Sequence, residues 1–265
     1  MTRLLSPQLP ERLYKYRDID KGYNILAKKQ IWFSKPKQFN DPFDCSIQIR
    51  FDLMTKEEFD NHGIALIKRL RPDLTEPQAG EIIKQMRNEG KARPYTMIDK
   101  FNNQQLEHLQ ENVRVFSLSK INNNILLWSH YGNCHTGVCI GFNSEMLYKS
   151  TGAGVGRVEY LNHYPELKPS GIGNLKDLIV QVCSKPPDWA YEQEFRFIYW
   201  EPRDNFAISP LAIEDITFGC RVTQADMDKI TKLITADKDL SHINIFQASK
   251  HTAKFELEIK PIEKI

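Results

Sequence analysis

Trp189-Ala-Tyr-Glu-Gln-Glu-Phe-Arg-Phe-Ile-Tyr-Trp200 is rich in aromatic residues, lacks glycine and proline, and sets large apolar side chains between polar ones. Such a run predicts a β-strand. Side chains along a strand alternate faces. Tyr191, Gln193, Phe195, Phe197 and Tyr199 therefore fall on one face, and Glu192, Glu194 and Arg196 on the other. Two carboxylates and a guanidinium on one side of an apolar strand are costly to bury unless they pair. They form either a structural ion-pair ladder or the floor of a polar site. In a site, repulsion between Glu192 and Glu194 would raise one carboxyl pKa toward general acid–base use.

Working outward, further strands are predicted over 13–17, 31–34, 113–119, 136–142, 155–160, 213–219, 242–248 and 254–260. Asp18 or Asp20 caps a helix running to about Lys29, and Thr223 caps one over 224–234 whose stripe is Met227, Ile230, Leu233 and Ile234. Other helices are predicted over 124–131, with Asn residues as its candidate caps, and over 175–183. The region 52–112 changes character. Thr55 with Glu58 and Thr75 with Gln78 have capping-box spacing, Pro77 sits in a first helical turn, and a third helix is predicted over 96–110. Strands and helices do not alternate regularly, so the expected fold is α+β: a mixed, mainly antiparallel sheet with flanking helices. The expected organisation is one domain over 1–265 with a helical insertion over 52–112.

Composition bounds the function. With 41% hydrophobic and 26% charged residues and a net charge of +2, the chain gives no global argument for a nucleic-acid or membrane partner. The stretch Lys68 to Arg93 carries seven basic and four acidic residues, which fits a solvated helical face or a nucleic-acid contact through the insertion. Five scattered cysteines without a C-x-x-C pair favour reduced thiols. No stretch approaches the roughly 18 apolar residues of a membrane span, and the N-terminus lacks a signal-peptide core. A cytoplasmic protein without a membrane partner is the expectation.

Several motifs are better read as structure. His130, Cys134, His135 and Cys139 do not have zinc-finger spacing, so no metal is assigned. Gly152-Ala-Gly-Val-Gly156 precedes a predicted strand instead of a helix and reads as a turn. The chain has no Walker lysine, nucleophile elbow or H-E-x-x-H helix. Tyr14-Lys-Tyr-Arg17 puts tyrosines on one strand face and cations on the other, and a planar Arg suits phosphate. His130 and Tyr131, in Trp128-Ser-His-Tyr, are polar-site candidates.

Taken together, Leu13-Tyr-Lys-Tyr-Arg, Trp32-Phe-Ser, Phe39-Asn-Asp-Pro-Phe-Asp, Leu127-Trp-Ser-His-Tyr-Gly, Gly137-Val-Cys-Ile-Gly-Phe and Tyr191-Glu-Gln-Glu-Phe-Arg resemble a bacterial domain-of-unknown-function family. That family is marked by YKYR, FNDPFD, WSHY and YExEWR-like signatures; here Phe195 stands in place of its Trp. The resemblance implies an association with bacterial conflict and phage-defence systems. A fainter resemblance is to ADP-ribosyltransferases, on Arg17, then Ser117-Leu-Ser119, then Glu192-Gln-Glu194 in that order. It implies NAD as substrate, with Arg17 on a phosphate and Ser117 or Ser119 supporting Glu194. Glu194 would hold the ribose and stabilise an oxocarbenium-like state, and Glu192 would orient or deprotonate the acceptor. The expected catalytic residues are thus Glu194 and Glu192. The binding residues are Arg17, Ser117, Ser119, His130 and Tyr131, with Asp41 as a further candidate. The alternatives are a non-enzymatic nucleotide or nucleic-acid binding module, and a nuclease built on Glu192, Glu194 and Asp44.

Overall fold

The computed structural model describes residues 8–89, 103–104, 106–168 and 175–263. Its strands are β1 (Arg12–Arg17), β2 (Gln30–Trp32), β3 (Arg114–Ser119), β4 (Val138–Asn143), β5 (Gly154–Arg157) and β6 (Glu159–Tyr160). They continue with β7 (Ser184–Lys185), β8 (Glu194–Tyr199), β9 (Asn205–Ala207), β10 (Ile213–Phe218), β11 (Asn244–Lys250) and β12 (Leu257–Pro261). Eight of them build one sheet in the order β12-β11-β10-β4-β1-β3-β8-β5. Every neighbouring pair in it is antiparallel except β10 with β11. The remaining strands form two small ribbons, β2 with β9 and β6 with β7. The fold is α+β, as the irregular order of elements predicts.

Apolar periodicity decides how the sheet is covered. One face packs against the helices Ile19–Lys28, Ser144–Thr151 and Gln224–Ala236, burying Leu26, Leu147, Ile230 and Ile234 against Leu13, Phe116, Ile140 and Phe197. Each such side chain, fully buried, contributes about 1.5–3 kcal/mol. On the other face Val115 and Ile198 meet Val182 and Cys183, at the end of the helix Leu175–Val182. Elsewhere Tyr16 packs edge-on against Trp128 at 5.2 Å. The caps read from sequence are present: Asp18 accepts from the Lys21 N–H, Thr223 from Asp226 and Asn124 from Leu126 and Leu127.

Several readings need correction. The run 189–200, with its strand expected over 193–200, becomes strand only at Glu194, because Pro187–Glu192 form a 3₁₀ turn and Gln193 is left-handed at φ 45°. The turn follows from Pro187 at its first position. The run over 155–160 is two strands, broken at Val158, and β11 and β12 start two or three residues later than expected. The helix Ser144–Thr151 and strands β7 and β9 were not anticipated. Between β2 and β3, the helices Lys56–Leu70 and Glu76–Asn88 form with both capping boxes and pack on each other; a Cβ on Gly63 would lie 2.6 Å from Ile83 Cδ1. Residues 106–112 are helical, and much of the helix expected over 96–110 lies outside the described residues.

One seam in the sheet matters most. β1 and β3 share a single register pair, Tyr14 with Ser119, and beyond it the strands part. Lys15 bridges the opening, its ammonium donating to the Ser117 carbonyl at 2.5 Å. A parted seam leaves backbone and side chains of both strands facing a common space.

Candidate functional site

That space is a cavity of about 370 Å³, within the range of small-ligand sites. Five distant segments line it, one of them within 34–44. β1 brings Lys15 and Arg17, β3 brings Ser117 and Ser119, and the end of helix Ile125–His130 brings His130 and Tyr131. The segment from β7 to β8 brings Lys185, Glu192, Glu194 and Arg196. Arg17, Ser117, Ser119, His130, Tyr131, Glu192 and Glu194 thus all lie on one wall or another of the same cavity. Asp41 does not: its carboxylate accepts from the Phe43 N–H at 2.9 Å and builds the Asn-Asp-Pro turn. The turn instead delivers Asp44 to the cavity wall.

The carboxylates are not free. Arg196, 1% exposed, forks onto Glu194 with Nε at 2.8 Å and Nη2 at 3.0 Å. It also forks onto Asp44 at 2.7 and 2.6 Å, and donates to the Val182 carbonyl. Lys185 lies 2.6 Å from Glu192, 3.3 Å from Glu194 and 3.7 Å from Asp44. The second Glu192 oxygen accepts from the Tyr131 hydroxyl at 2.7 Å. Ser119 donates to the Glu192 carbonyl at 2.7 Å, tying the turn to β3. Glu192 therefore reaches the cluster from a 3₁₀ turn and not along the strand face expected for it.

Three carboxylates against two cations leave one negative charge in excess, and the two glutamates respond oppositely. For Glu194, burial pushes the carboxyl up, but Arg196 and then Lys185 outweigh it and hold the group at about 2. For Glu192, burial and then the Glu194 charge raise the carboxyl, with Lys185 and Tyr131 opposing. The sign of the resulting pH dependence is fixed. Ionising Glu192 is harder folded than unfolded, so its contribution is full below about pH 4.3 and is lost as pH climbs through its raised pKa. Glu194 contributes above that pH and its share is lost as pH falls toward about 2. Urea midpoints of wild type and Glu192→Gln should show the wild-type advantage shrinking from about pH 4.3 upward. An advantage that grows with pH would contradict the assignment.

The β1 wall has the opposite character. Lys15 and Arg17 are half-buried, and neither has a carboxylate within ion-pairing distance among the described residues. Burial, then the Arg17 charge, holds the Lys15 amine well below the ordinary lysine range. Burial likewise lowers Arg17. Two cations facing a cavity without counter-ions form a site that an anion would complete.

Sequence reasoning missed Lys185. Its only local signal is the Pro186-Pro187 step after it, which begins the turn carrying Glu192. Four stretches singled out from the sequence acquire physical roles here. In the first, Tyr16 hydrogen-bonds the Ile121 carbonyl, and in the second Asp44 clamps Arg196. In the third, Trp128 donates to the Asn122 carbonyl while Tyr131 holds Glu192, and the fourth is the Glu–Arg ladder itself. Among the described residues no group of three or more His, Cys, Asp or Glu side chains is arranged to hold a metal ion, and all five cysteines are free. Among the described residues of 52–112, Lys68, Arg71, Lys84 and Arg87 pair with Glu76, Asp73, Glu81 and Asp60. No helix among the described residues is long and apolar enough to cross a membrane.

The fold and cavity define an α+β protein with a polar ligand-sized site at a parted strand seam. The family model described as a protein of unknown function (DUF2971) matches residues 127–197. The matched stretch contains His130, Tyr131, Lys185, Glu192, Glu194 and Arg196, and leaves the β1 and β3 walls outside it. No curated protein and no solved structure matches the chain.

Proposed function

We propose that the cavity binds a nucleotide phosphate and that the chain is an NAD-consuming, ADP-ribosyltransferase-like enzyme. The observation that carries the reading is the opposition across one cavity of two cations without counter-ions, Lys15 and Arg17, and the glutamate pair Glu192 and Glu194. Lys15 and Arg17 would take the pyrophosphate oxygens. Cleaving the bond from ribose to nicotinamide develops positive charge on the sugar, and a buried carboxylate facing it stabilises that charge. Glu192 suits this role better than Glu194. One of its oxygens is held only by the Tyr131 hydroxyl, whereas both Glu194 oxygens accept from Arg196. Glu194 then acts as a positioning residue that sets Arg196 and Lys185. The resemblance of the motifs to families of bacterial conflict and phage defence fits an NAD-consuming effector.

One observation favours a second reading, a nucleotide-binding module without turnover: each carboxylate of the cavity has a cationic partner. The nuclease alternative loses ground for the same reason, because Asp44 and Glu194 are both forked by Arg196. Nicotinamide release separates the readings. The wild-type protein should convert NAD, while Glu192→Gln should lose about 100-fold or more in rate, as expected for a group acting at the reacting centre, and retain NAD binding. Binding without conversion in the wild type would establish the module. Neither binding nor conversion would end the NAD reading.

A further inference from the structure

A second cavity, of about 550 Å³, shares no lining residue with the first. The connection between β11 and β12 forms one wall, and Cys220 and His135 form another. Cys220 Sγ lies 3.8 Å from His135 Nδ1, and His135 Nε2 lies 3.0 Å from Ser129 Oγ. The Ser129 hydroxyl donates its only proton to the Ile125 carbonyl at 3.0 Å. Nε2 must therefore carry the imidazole proton and donate it to Ser129. Nδ1 is left bare, facing the thiol. A nucleophile, a base turned toward it and a third group fixing the base are the arrangement that activates a thiol.

The backbone holds this geometry at a cost. Asn133, Cys134 and His135 are successive left-handed residues at φ 49°, 53° and 68°, a conformation that costs about 1–2 kcal/mol each for residues with a Cβ. The His135 ring stacks over Trp128 at 6.4 Å and 14°. The Arg221 N–H donates to the His135 carbonyl at 2.9 Å, and a Cβ on Gly219 would lie 2.2 Å from that same oxygen. Only glycine at 219 lets Cys220 come this close to the imidazole. Strain of this kind concentrates where geometry serves a function. The rim is cationic: Arg221, Lys250 and Lys254 face the cavity against the single carboxylate of Glu256. Arg221 and Lys250 have no ion pair among the described residues, and Lys254 approaches Glu256 at 3.9 Å.

We propose that Cys220 is a modification site that exchanges with low-molecular-weight disulfides bearing carboxylates, with His135 as its base. His135 Nδ1 takes the thiol proton and Cys220 Sγ attacks one sulfur of the disulfide. The Sγ–S bond forms as the S–S bond breaks, and the departing thiolate takes the proton back from the imidazolium. The disulfide is the oxidant, and the products are a mixed disulfide on Cys220 and one free thiol. The cationic rim selects the anionic partner.

Cys45, Cys139 and Cys183 are buried and Cys134 is exposed, so a Cys134→Ser background isolates Cys220. Its exchange rates with the dianionic dithiobis-nitrobenzoate and the dicationic cystamine are each divided by the rate of mercaptoethanol with the same probe. The normalised rate with the anionic probe should exceed that with the cationic one by about ten-fold or more, and the preference should weaken with salt. Arg221→Gln with Lys250→Gln should bring the ratio near one, and mass spectrometry should place the adduct on Cys220. His135→Gln, if its melting temperature is kept, should slow both probes. Equal normalised rates in the Cys134→Ser protein, or a His135→Gln rate unchanged with both probes, would overturn the proposal.

Discussion

Arg196→Met is expected to lower the unfolding free energy by about 3–5 kcal/mol, the cost of breaking a buried ion pair by removing one partner. Arg196 is 1% exposed and directs its donors at Glu194, Asp44 and the Val182 carbonyl. Without it, Asp44 and Glu194 keep only Lys185, at 3.7 and 3.3 Å, as a cationic partner. Arg196→Lys should restore little, since an ammonium cannot fork onto two carboxylates at once. Adding Asp44→Asn to Arg196→Met should return part of the loss, because it removes one of the stranded charges. Urea unfolding of the two single variants and the double variant measures this. A loss below about 1 kcal/mol for Arg196→Met would place the pairs in the range of solvated surface bridges.

Gly137→Ala is the second large effect. A Cβ there would lie 2.1 Å from the Arg17 carbonyl oxygen and 3.0 Å from that of Gly132, both backbone atoms that no rotamer change can move. Relief requires β1 to shift at its Arg17 end, where Arg17 pairs with Val138. Overpacking of this kind costs about 1–3 kcal/mol, and it moves the guanidinium that faces the cavity. Stability and anion affinity should fall together. Lower stability with unchanged affinity would show that Arg17 is not part of the binding wall.

Much of the architecture is legible in the sequence because local chemistry and tertiary structure agree. Thr55 and Thr75 carry capping boxes, Asn124 and Thr223 cap helices, and Ile230 with Ile234 fall on the stripe that the core buries. The residues of the cavity are legible as motifs, since Arg17, Ser117, Tyr131 and Glu194 each stand out for residue type. What binds them together is not. Lys185 has no motif, and the Arg196–Asp44 fork joins residues 152 apart in the chain. The strand reading over 189–193 fails because a proline-initiated turn overrides aromatic strand propensity there. The single-pair seam between β1 and β3 is a matter of register, which periodicity within one strand cannot reveal.

Titration calorimetry of NAD into the wild-type protein and Arg17→Gln tests the central claim most directly. Burial and the Arg17 charge keep the Lys15 amine well below its ordinary range, and a bound phosphate should raise it. The account predicts wild-type binding and a loss of about ten-fold or more in affinity for Arg17→Gln, the worth of one charge-assisted hydrogen-bonding group. Absence of binding at millimolar NAD, or equal affinity in Arg17→Gln, would contradict it.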